Sequence, residues 1–303
     1  MNAALDIIKM SFIARCTRPA HVYRHIAPAL RGAFGYTLSQ IFDKGIGAPG
    51  LYQTIFKNET EGVYSDEYVY GKPNPYVFEA PAQMSPEMVP GDVFGFNLAL
   101  FGSACGYVPE VIFTVEQMLK GNIMNNERAF ELLMISNFFS RKILYADGAV
   151  SAGIGLMSQP WKWTDQAVVY PPSYGVRIRF IEPVSVKENS MPAVSITFSL
   201  FVRSILNRLI LLTSVYGGTC QLDREGFEVS AALIKTADNK LSDGSFVTFS
   251  RTQLRKKIYR GRIGAVTYEG DLSPFLPYID IGSVLHIGGN TVMGMGQYLW
   301  ERV

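Results

Sequence analysis

The sequence predicts an α+β protein of two similar halves, each ordered strand, helix, strand, strand, helix, strand. Two observations carry this prediction: several short segments alternate apolar and polar residues, as half-buried strands do, and longer segments between them have helical spacing. The chain has 303 residues, 48% hydrophobic and 18% charged, so it can bury two cores and is not intrinsically disordered. The same element order given twice is typical of tandem ferredoxin-like domains.

The first half supplies one set of elements. Residues 5–15 alternate, with Met10 and Phe12 on one face and Lys9 and Ser11 on the other, which predicts a strand. Pro28 suits the first turn of a helix, which we expect to run to about residue 42. We then expect strands at 76–79 and 93–100, a helix at 110–119, a strand at 129–135 and a linker at 161–174.

Two glycines, Gly32 and Gly35, lie inside the first predicted helix, where each costs about 1 kcal/mol relative to alanine. They indicate either that another backbone or a ligand approaches this face, or that the helix packs tightly on a sheet.

The second half begins in the same way. Val176, Ile178 and Phe180 alternate with Arg177 and Arg179, which predicts a strand. We then expect a helix at 197–216 that ends at two glycines, strands at 227–234, 245–250 and 264–268, a helix from residue 273 and a strand at 297–302. The predicted domains are residues 1–165, with the candidate catalytic histidines, and 175–303.

Charge and cysteine usage exclude several classes of protein. The net charge of +2 favours no partner, and three isolated cysteines disfavour both a disulfide framework and a zinc site. The N-terminus does not have the pattern of a signal sequence. The apolar segment 196–216 contains two arginines, which suits a buried core helix better than a membrane span. We therefore expect a soluble cytoplasmic protein.

A glycine-rich segment, residues 286–296, precedes the last predicted strand. Its glycines can turn backbone N–H groups toward an anion, which predicts a phosphate nest, whereas a plain tight loop is the alternative. It does not fit a dinucleotide fingerprint, which joins an opening strand to a helix. We expect substitution of Gly294 or Gly296 with valine to weaken ligand binding without unfolding the protein. The candidate RNA-binding residues here are His286, Gly288, Gly289, Asn290, Gly294 and Gly296.

A basic segment at residues 251–262 contains six cations and no acidic residue, with Tyr259 among them. This composition is typical of a surface for a nucleic-acid backbone, and a solvated charge run is the alternative. Arg177 and Arg179 share a strand face and could extend it. The cations of the segment are Arg251, Arg255, Lys256, Lys257, Arg260 and Arg262.

Histidines lie just before the first predicted helix, at His21 and His25, with Tyr23 and Arg24 beside them. A helix N-terminus attracts phosphate, and histidine can exchange a proton near neutral pH. A structural role is the alternative for each histidine. Arg31, in the helix itself, is a further candidate for RNA binding.

Four segments together resemble the CRISPR-associated endoribonucleases that process precursor CRISPR RNA, a branch of the RAMP superfamily of the Cas-six type. They are Leu-Arg-Gly-Ala-Phe-Gly at 30–35, residues 73–79, residues 91–102 and the glycine-rich segment with the following strand, 286–298. The similarity spans nearly the whole chain, and the glycine-rich segment is its most specific part.

The resemblance implies two tandem ferredoxin-like domains and metal-independent RNA cleavage with no cofactor. A ribose 2′-hydroxyl would attack the adjacent phosphate and leave 2′,3′-cyclic phosphate and 5′-hydroxyl ends. It implies His25 as the first catalytic candidate and His21 as the second, with Tyr23, Arg24 and Lys44 as supporting groups. The implied partners are CRISPR repeat RNA, the product guide RNA and other Cas proteins of an effector complex, with no membrane.

Two other functions remain open from the sequence. A non-catalytic RAMP subunit that binds guide RNA would share the fold and the basic surface, and only a competent acid–base pair separates the two. A nucleotide-binding regulatory protein would use the glycine-rich segment, but the basic segment counts against it.

Overall fold

The computed structural model describes residues 2–43, 51–57, 73–81, 85–124, 126–146, 148–151, 159–165, 170–221, 223–250 and 255–303. The chain divides into two compact units. The N-terminal unit comprises residues 6–162 and 215–217, and the C-terminal unit comprises residues 1–5, 163–214 and 218–303. Residues 1–5 thus group with the C-terminal unit and residues 215–217 with the N-terminal unit, whereas the sequence prediction divides the chain into 1–165 and 175–303.

The N-terminal unit is built on one antiparallel sheet. In chain order its main elements are β1 (Asn2–Cys16), β2 (Ala20–His21), α1 (Ala27–Leu38), β3 (Tyr76–Glu79), β4 (Glu87–Met88), β5 (Val93–Phe101), α2 (Val108–Leu119), β6 (Asn122–Ile123), β7 (Asn126–Glu127), β8 (Phe130–Asn137), β9 (Ile143–Ala146), β10 (Ala149–Val150) and β11 (Trp161–Thr164). The strand order β8–β1–β5–β3, with α1 and α2 as the connections, is the ferredoxin-like arrangement. Residues 161–164, predicted as linker, form a strand that pairs with β1.

The apolar face of β1 forms the centre of this unit, as its alternation predicts, since Met10 and Phe12 are fully buried. The opposite face departs from the expected pattern at Lys9, which is also buried. The Lys9 ammonium donates to Glu79 Oε1 at 2.7 Å, and their side chains are 7% and 5% exposed. Asn97 Nδ2 donates to the other Glu79 oxygen at 2.8 Å. Two opposite charges are therefore held inside the sheet by each other and by one amide.

The C-terminal unit repeats the arrangement. Its elements are β12 (Gly175–Val184), β13 (Lys187–Glu188), β14 (Met191–Pro192), α3 (Phe198–Tyr216), β15 (Thr219–Gln221), α4 (Arg224–Ala231), β16 (Lys235–Ser250), β17 (Arg255–Glu269), α5 (Leu276–Leu285) and β18 (Tyr298–Arg302). The sheet order is β16–β17–β12–β18, again with two helical connections, which confirms the predicted fold class.

Helix α3 is long and apolar enough to span a membrane by composition alone, but it packs as a core helix. Its Phe201 ring contacts Phe180 and Tyr298 of the sheet, with ring centroids 6.4 and 5.3 Å apart. These aromatic contacts give α3 a protein partner on its sheet-facing side.

One sequence prediction for this unit is wrong, and two strand predictions are confirmed but are shorter than the observed strands. Residues 227–234 were expected to form a strand, but they lie largely in α4, where Asp223 caps the helix by accepting from the Gly226 N–H at 3.0 Å. The short strands expected at 245–250 and 264–268 are parts of one hairpin, in which β16 pairs with β17 from Lys235↔Glu269 to Ser250↔Arg255.

The outer edge of β16 is occupied by side chains. The Leu241 N–H donates to Asn239 Oδ1 at 3.1 Å, and Arg262 Nη2 donates to the Leu241 carbonyl at 3.0 Å. Arg262 Nη1 also pairs with Asp243 at 2.5 Å. The polar groups of this part of the edge thus have partners within the same unit.

Candidate nucleic-acid interface

The glycine-rich segment and the basic segment, which lie far apart in the sequence, meet in the C-terminal unit. Phe246 of β16 and Tyr259 of β17 stack with ring centroids 5.2 Å apart. This pair packs against Met295 and Met293 of the glycine-rich segment. The hairpin is therefore seated on the glycine-rich segment by a small apolar cluster.

The basic residues of the hairpin divide between its two faces, because side chains alternate along a strand. Lys257 and Arg255 share the face of Tyr259, with the Lys257 ammonium 5.1 Å from the Tyr259 ring centroid. Arg260 and Lys256 lie on the opposite face. All four side chains are exposed, so the hairpin carries positive charge on both sides. Arg251 lies outside the described residues.

Three other candidate arginines have protein partners. The Arg262 guanidinium is engaged by Asp243 and the Leu241 carbonyl, so we leave it out of the proposed interface. Arg177 pairs with Glu301 at 3.2 Å on the exposed face of β12.

Arg31 of α1 is half-buried, with its guanidinium carbon 4.1 Å from the Phe56 ring centroid. A direct RNA contact by Arg31 does not fit this packing, whereas Arg179 is exposed beside Arg177.

The same ring of Phe56 explains one of the two helix glycines. A Cβ on Gly35 would meet the Phe56 ring, whereas a Cβ on Gly32 would meet nothing within 4 Å. The tight approach therefore comes from a side chain and concerns Gly35 alone. Tyr76 lies at this place too, where burial raises the pKa of its hydroxyl to about 12 and the nearby Arg31 charge opposes that rise.

The backbone of the glycine-rich segment satisfies much of its own hydrogen bonding, contrary to a phosphate nest. The Gly289 N–H donates to the Ser185 carbonyl at 2.8 Å, the Gly294 N–H to Thr291 at 2.9 Å and the Gly296 N–H to Pro183 at 3.0 Å. These N–H groups are already used within the fold. Gly289 and Asn290 are the exposed tip, and Gly288 is half-exposed.

The glycines at 288 and 296 are required by close backbone approach. Both have positive φ, +77° and +74°, and a Cβ would meet the Ser185 carbonyl oxygen at Gly288 and the Ile287 carbonyl oxygen at Gly296. The expectation that Gly296 can be replaced with valine without unfolding the protein is therefore wrong. Gly294 also has a positive φ, +83°, and is buried.

We expect Gly296→Val to unfold the C-terminal unit or lower its melting temperature by about five degrees or more, as a loss of about 2 kcal/mol or more does in a domain of this size. The added side chain meets backbone, which cannot move aside. Thermal unfolding followed by circular dichroism measures this. Gly289→Ala is the matched control, because Gly289 lies at the exposed tip and its nearest contact for a Cβ is 3.7 Å away. Equal melting temperatures for the two variants would contradict the packing role.

His286 is fully buried at the end of α5. A direct contact between its side chain and RNA is inconsistent with this burial, so we assign it to the C-terminal core.

The segment before α1 presents the candidate catalytic side chains of the N-terminal unit. His21 Nδ1 lies 2.8 Å from Glu87 Oε1, and the His21 side chain is 57% exposed. The strand pairing β2–β4 sets this contact by placing His21 opposite Glu87. The Tyr23 ring contacts the His21 ring edge-on, with centroids 5.8 Å apart. No sequence pattern links Glu87 to His21, because the two residues are 66 positions apart.

His25 and Arg24 lie directly before the N-terminus of α1. Arg24 is exposed and His25 is half-buried. The helix begins with Pro28 in its first turn, and its N-cap, Ile26, provides no side-chain hydrogen bond. The positive end of the helix dipole therefore lies beside an arginine and a histidine, which suits an anion. Lys44 lies outside the described residues.

Within the described ranges, no group of three His, Cys, Asp or Glu side chains is placed to hold a metal ion.

Family models match both halves of the chain. Residues 178–298 match the model described as CRISPR-associated endoribonuclease Cas6, and residues 5–153 match a model described as an N-terminal domain. Among curated proteins, no sequence matches this chain.

Solved structures of similar fold cover nearly the whole chain. A chain of the partial Cas6–RT–Cas1–Cas2 complex superposes with a TM-score of 0.63 at 12% identity, covering 99% of this chain and 46% of that one. This chain thus spans less than half of that longer polypeptide. Thermus thermophilus Cas6 (TTHB231) superposes with a TM-score of 0.57 at 13% identity, and its product complex with 0.58 at 12%, each covering 98% of this chain and 99% of the other.

The two sheets and their helical connections define the class: an α+β protein of two tandem ferredoxin-like domains, similar in fold to the solved Cas6 structures. Over residues 178–298 the C-terminal domain matches the family model of the Cas6 CRISPR-associated endoribonucleases. The resemblance found in the sequence is confirmed.

Proposed function

We propose that the protein binds CRISPR repeat RNA and cleaves precursor CRISPR RNA without a metal ion, by attack of a ribose 2′-hydroxyl on the adjacent phosphate. The observation that carries the proposal is the basic hairpin seated on the glycine-rich segment, within a domain that matches the Cas6 family model. The hairpin presents four exposed cations, two on the face of the aromatic pair and two on the opposite face, which suits an RNA backbone.

The histidines before α1 would supply the proton transfers. Beside an ionised Glu87 carboxylate, which only accepts hydrogen bonds, a neutral His21 would carry its proton on Nδ1 and leave the Nε2 lone pair available. This arrangement favours His21 as the base that takes the proton from the 2′-hydroxyl. His25 would give a proton to the leaving 5′-oxygen, and Arg24 with the N-terminus of α1 would stabilise the charge on the phosphorane. Tyr23 would hold the His21 ring in place.

The product would stay on the protein as guide RNA, and the partners would include other Cas proteins. The solved product complex of a Cas6 protein and the Cas6–RT–Cas1–Cas2 assembly support this proposal by similarity of fold.

The activity is tested by incubating the purified protein with its cognate repeat RNA in EDTA. We expect one cleavage that leaves a 2′,3′-cyclic phosphate and a 5′-hydroxyl, and no cleavage when the nucleotide before the scissile phosphate is 2′-deoxy. Tight binding without cleavage of the wild-type substrate would instead favour a non-catalytic guide-RNA subunit.

Replacing Arg255, Lys256 and Arg260 with alanine should weaken binding of the repeat RNA and flatten its salt dependence. Each lost phosphate contact lowers the slope of log K against log salt by about 0.7–0.9, so we expect a decrease of about 2–3. Filter binding at several salt concentrations measures it. Alanine at Lys120, Arg224 and Arg302, three exposed cations outside the hairpin, removes the same charge and should leave the slope nearly unchanged. Equal slopes for the two triple variants would remove the hairpin from the interface.

A further inference from the structure

The loop between β8 and β9 in the N-terminal unit combines aromatic rings with cations at the surface. Arg141 and Lys142 are exposed, and Phe139 is half-buried against Trp161 of β11, with ring centroids 4.5 Å apart. Lys162, next to Trp161, is also exposed. Neither 132–146 nor 159–164 contains an acidic residue, so nothing in these segments neutralises the three cations.

The loop is held by hydrogen bonds from its backbone N–H groups to Asn137. Asn137 Oδ1 accepts from the N–H groups of Phe139 and Ser140, both at 3.0 Å. The Arg141 N–H donates to the Asn137 carbonyl at 2.8 Å, and Arg141 itself has φ of +60°. Because these hydrogen bonds already order the loop, a ligand that binds here loses little binding free energy to ordering it.

The two phenylalanines of the loop, Phe138 and Phe139, differ in the groups that their rings already contact. The Phe138 ring already contacts cations, with Lys9 Nζ at 4.0 Å and the Arg141 guanidinium carbon at 5.1 Å from its centroid. Phe138 therefore positions Arg141. Phe139 and Trp161 form the half-exposed pair, and a flat ring can stack on either of them.

We propose that this surface, Phe139, Arg141, Lys142, Trp161 and Lys162, is a second RNA-binding site that takes unpaired nucleotides. Bases stack on Phe139 and Trp161, and phosphates contact the three cations. This combination of stacking rings and cations is what sequence-tolerant binding of single strands requires. The inference rests on the proposed function, since the RNA is the unpaired part of the same precursor.

The first test uses an unstructured oligouridine of about 12 nucleotides, within the range of known single-strand sites. With 5-bromouridine in the oligomer, ultraviolet crosslinking should give adducts on peptides that contain residues 138–142 or 161–162. Adducts found only on the hairpin of residues 255–262 would overturn the proposal.

The second test measures affinity for the same oligouridine. Phe139→Ala with Trp161→Ala should weaken binding about tenfold, the effect of losing one or two base stacks. Arg141→Ala with Lys142→Ala, which changes only exposed side chains, should lower the salt slope by about 1.4 for a single strand. Phe113→Ala with Lys120→Ala removes an exposed ring and a cation on α2 and should change neither. Unchanged affinity and slope in both loop variants would overturn the site.

Cleavage of a repeat RNA without unpaired flanks separates this inference from the proposed function. We expect the Arg141→Ala, Lys142→Ala variant to cleave it at the wild-type rate. If the wild type does not cleave it, the proposed function fails, whatever the oligouridine result. If cleavage is normal and the loop variants bind oligouridine as the wild type does, only the second site fails.

Discussion

Replacing His21 or His25 with alanine is expected to slow single-turnover cleavage of repeat RNA by about 10²- to 10⁴-fold, the usual contribution of a general acid or base. Attack by a 2′-hydroxyl needs one group to accept a proton and another to donate one. His21 Nδ1 lies 2.8 Å from Glu87 Oε1, which in the proposed mechanism leaves Nε2 as the base, and His25 lies just before the N-terminus of α1. RNA affinity should stay close to that of the wild type, because the basic hairpin is unchanged.

Two variants make this prediction specific. Glu87→Gln can present an amide N–H to His21 Nδ1, which favours the wrong tautomer, so cleavage should slow while binding is kept. His286→Gln changes the remaining histidine and tests the C-terminal core, so any effect should appear in thermal stability first. If the double variant His21→Ala, His25→Ala cleaves at the wild-type rate, catalysis lies elsewhere, and Tyr23 or Lys44 is the next candidate.

Replacing Lys9 with alanine is expected to lower the free energy of unfolding by about 3–5 kcal/mol, the cost of leaving a buried charge without its partner. Glu79 is 5% exposed, and Asn97, which also donates to it, is a neutral amide that cannot replace a positive charge. The loss is a large part of the stability of an ordinary domain. Urea unfolding followed by circular dichroism measures it.

The matched control removes both charges together. Lys9→Met with Glu79→Gln keeps side chains of similar size and retains an acceptor for Asn97, so we expect it to recover most of the lost stability. A double variant as unstable as Lys9→Ala would mean that the ion pair itself, rather than the unpaired carboxylate, accounts for the effect.

The sequence predicts most of the fold because hydrophobic periodicity is local. The alternation of Val176, Ile178 and Phe180 and the apolar stretch of α3 each appear in the structure where expected. Helix α4 was missed although Phe227 and Ala231, its buried residues, are four apart, and Asp223 stands at the N-cap position. In so short a segment, the alternation of apolar and polar residues outweighed these helical signals.

The candidate site was predicted less well, because it depends on contacts between distant segments. Residue type alone cannot distinguish Arg262 from the other cations of the segment; the strand pairing that places it opposite Asp243 gives it an ion-pair partner. Burial likewise argues against His286 as a direct RNA contact, although the glycine-rich sequence around it indicates an exposed loop. Glu87 is identified only by strand pairing, which brings it opposite His21.

The side chains along the outer edge of β16 affect how the protein behaves at high concentration. A long edge strand normally recruits a strand from a neighbouring molecule, which leads to aggregation. Here Asn239 and Arg262 occupy the N–H and carbonyl of Leu241, and a bulge between Thr236 and Asp238 bends the strand further along. Arg262 thus helps to close one point of this sixteen-residue edge, where a strand of a neighbouring chain would otherwise find a free carbonyl.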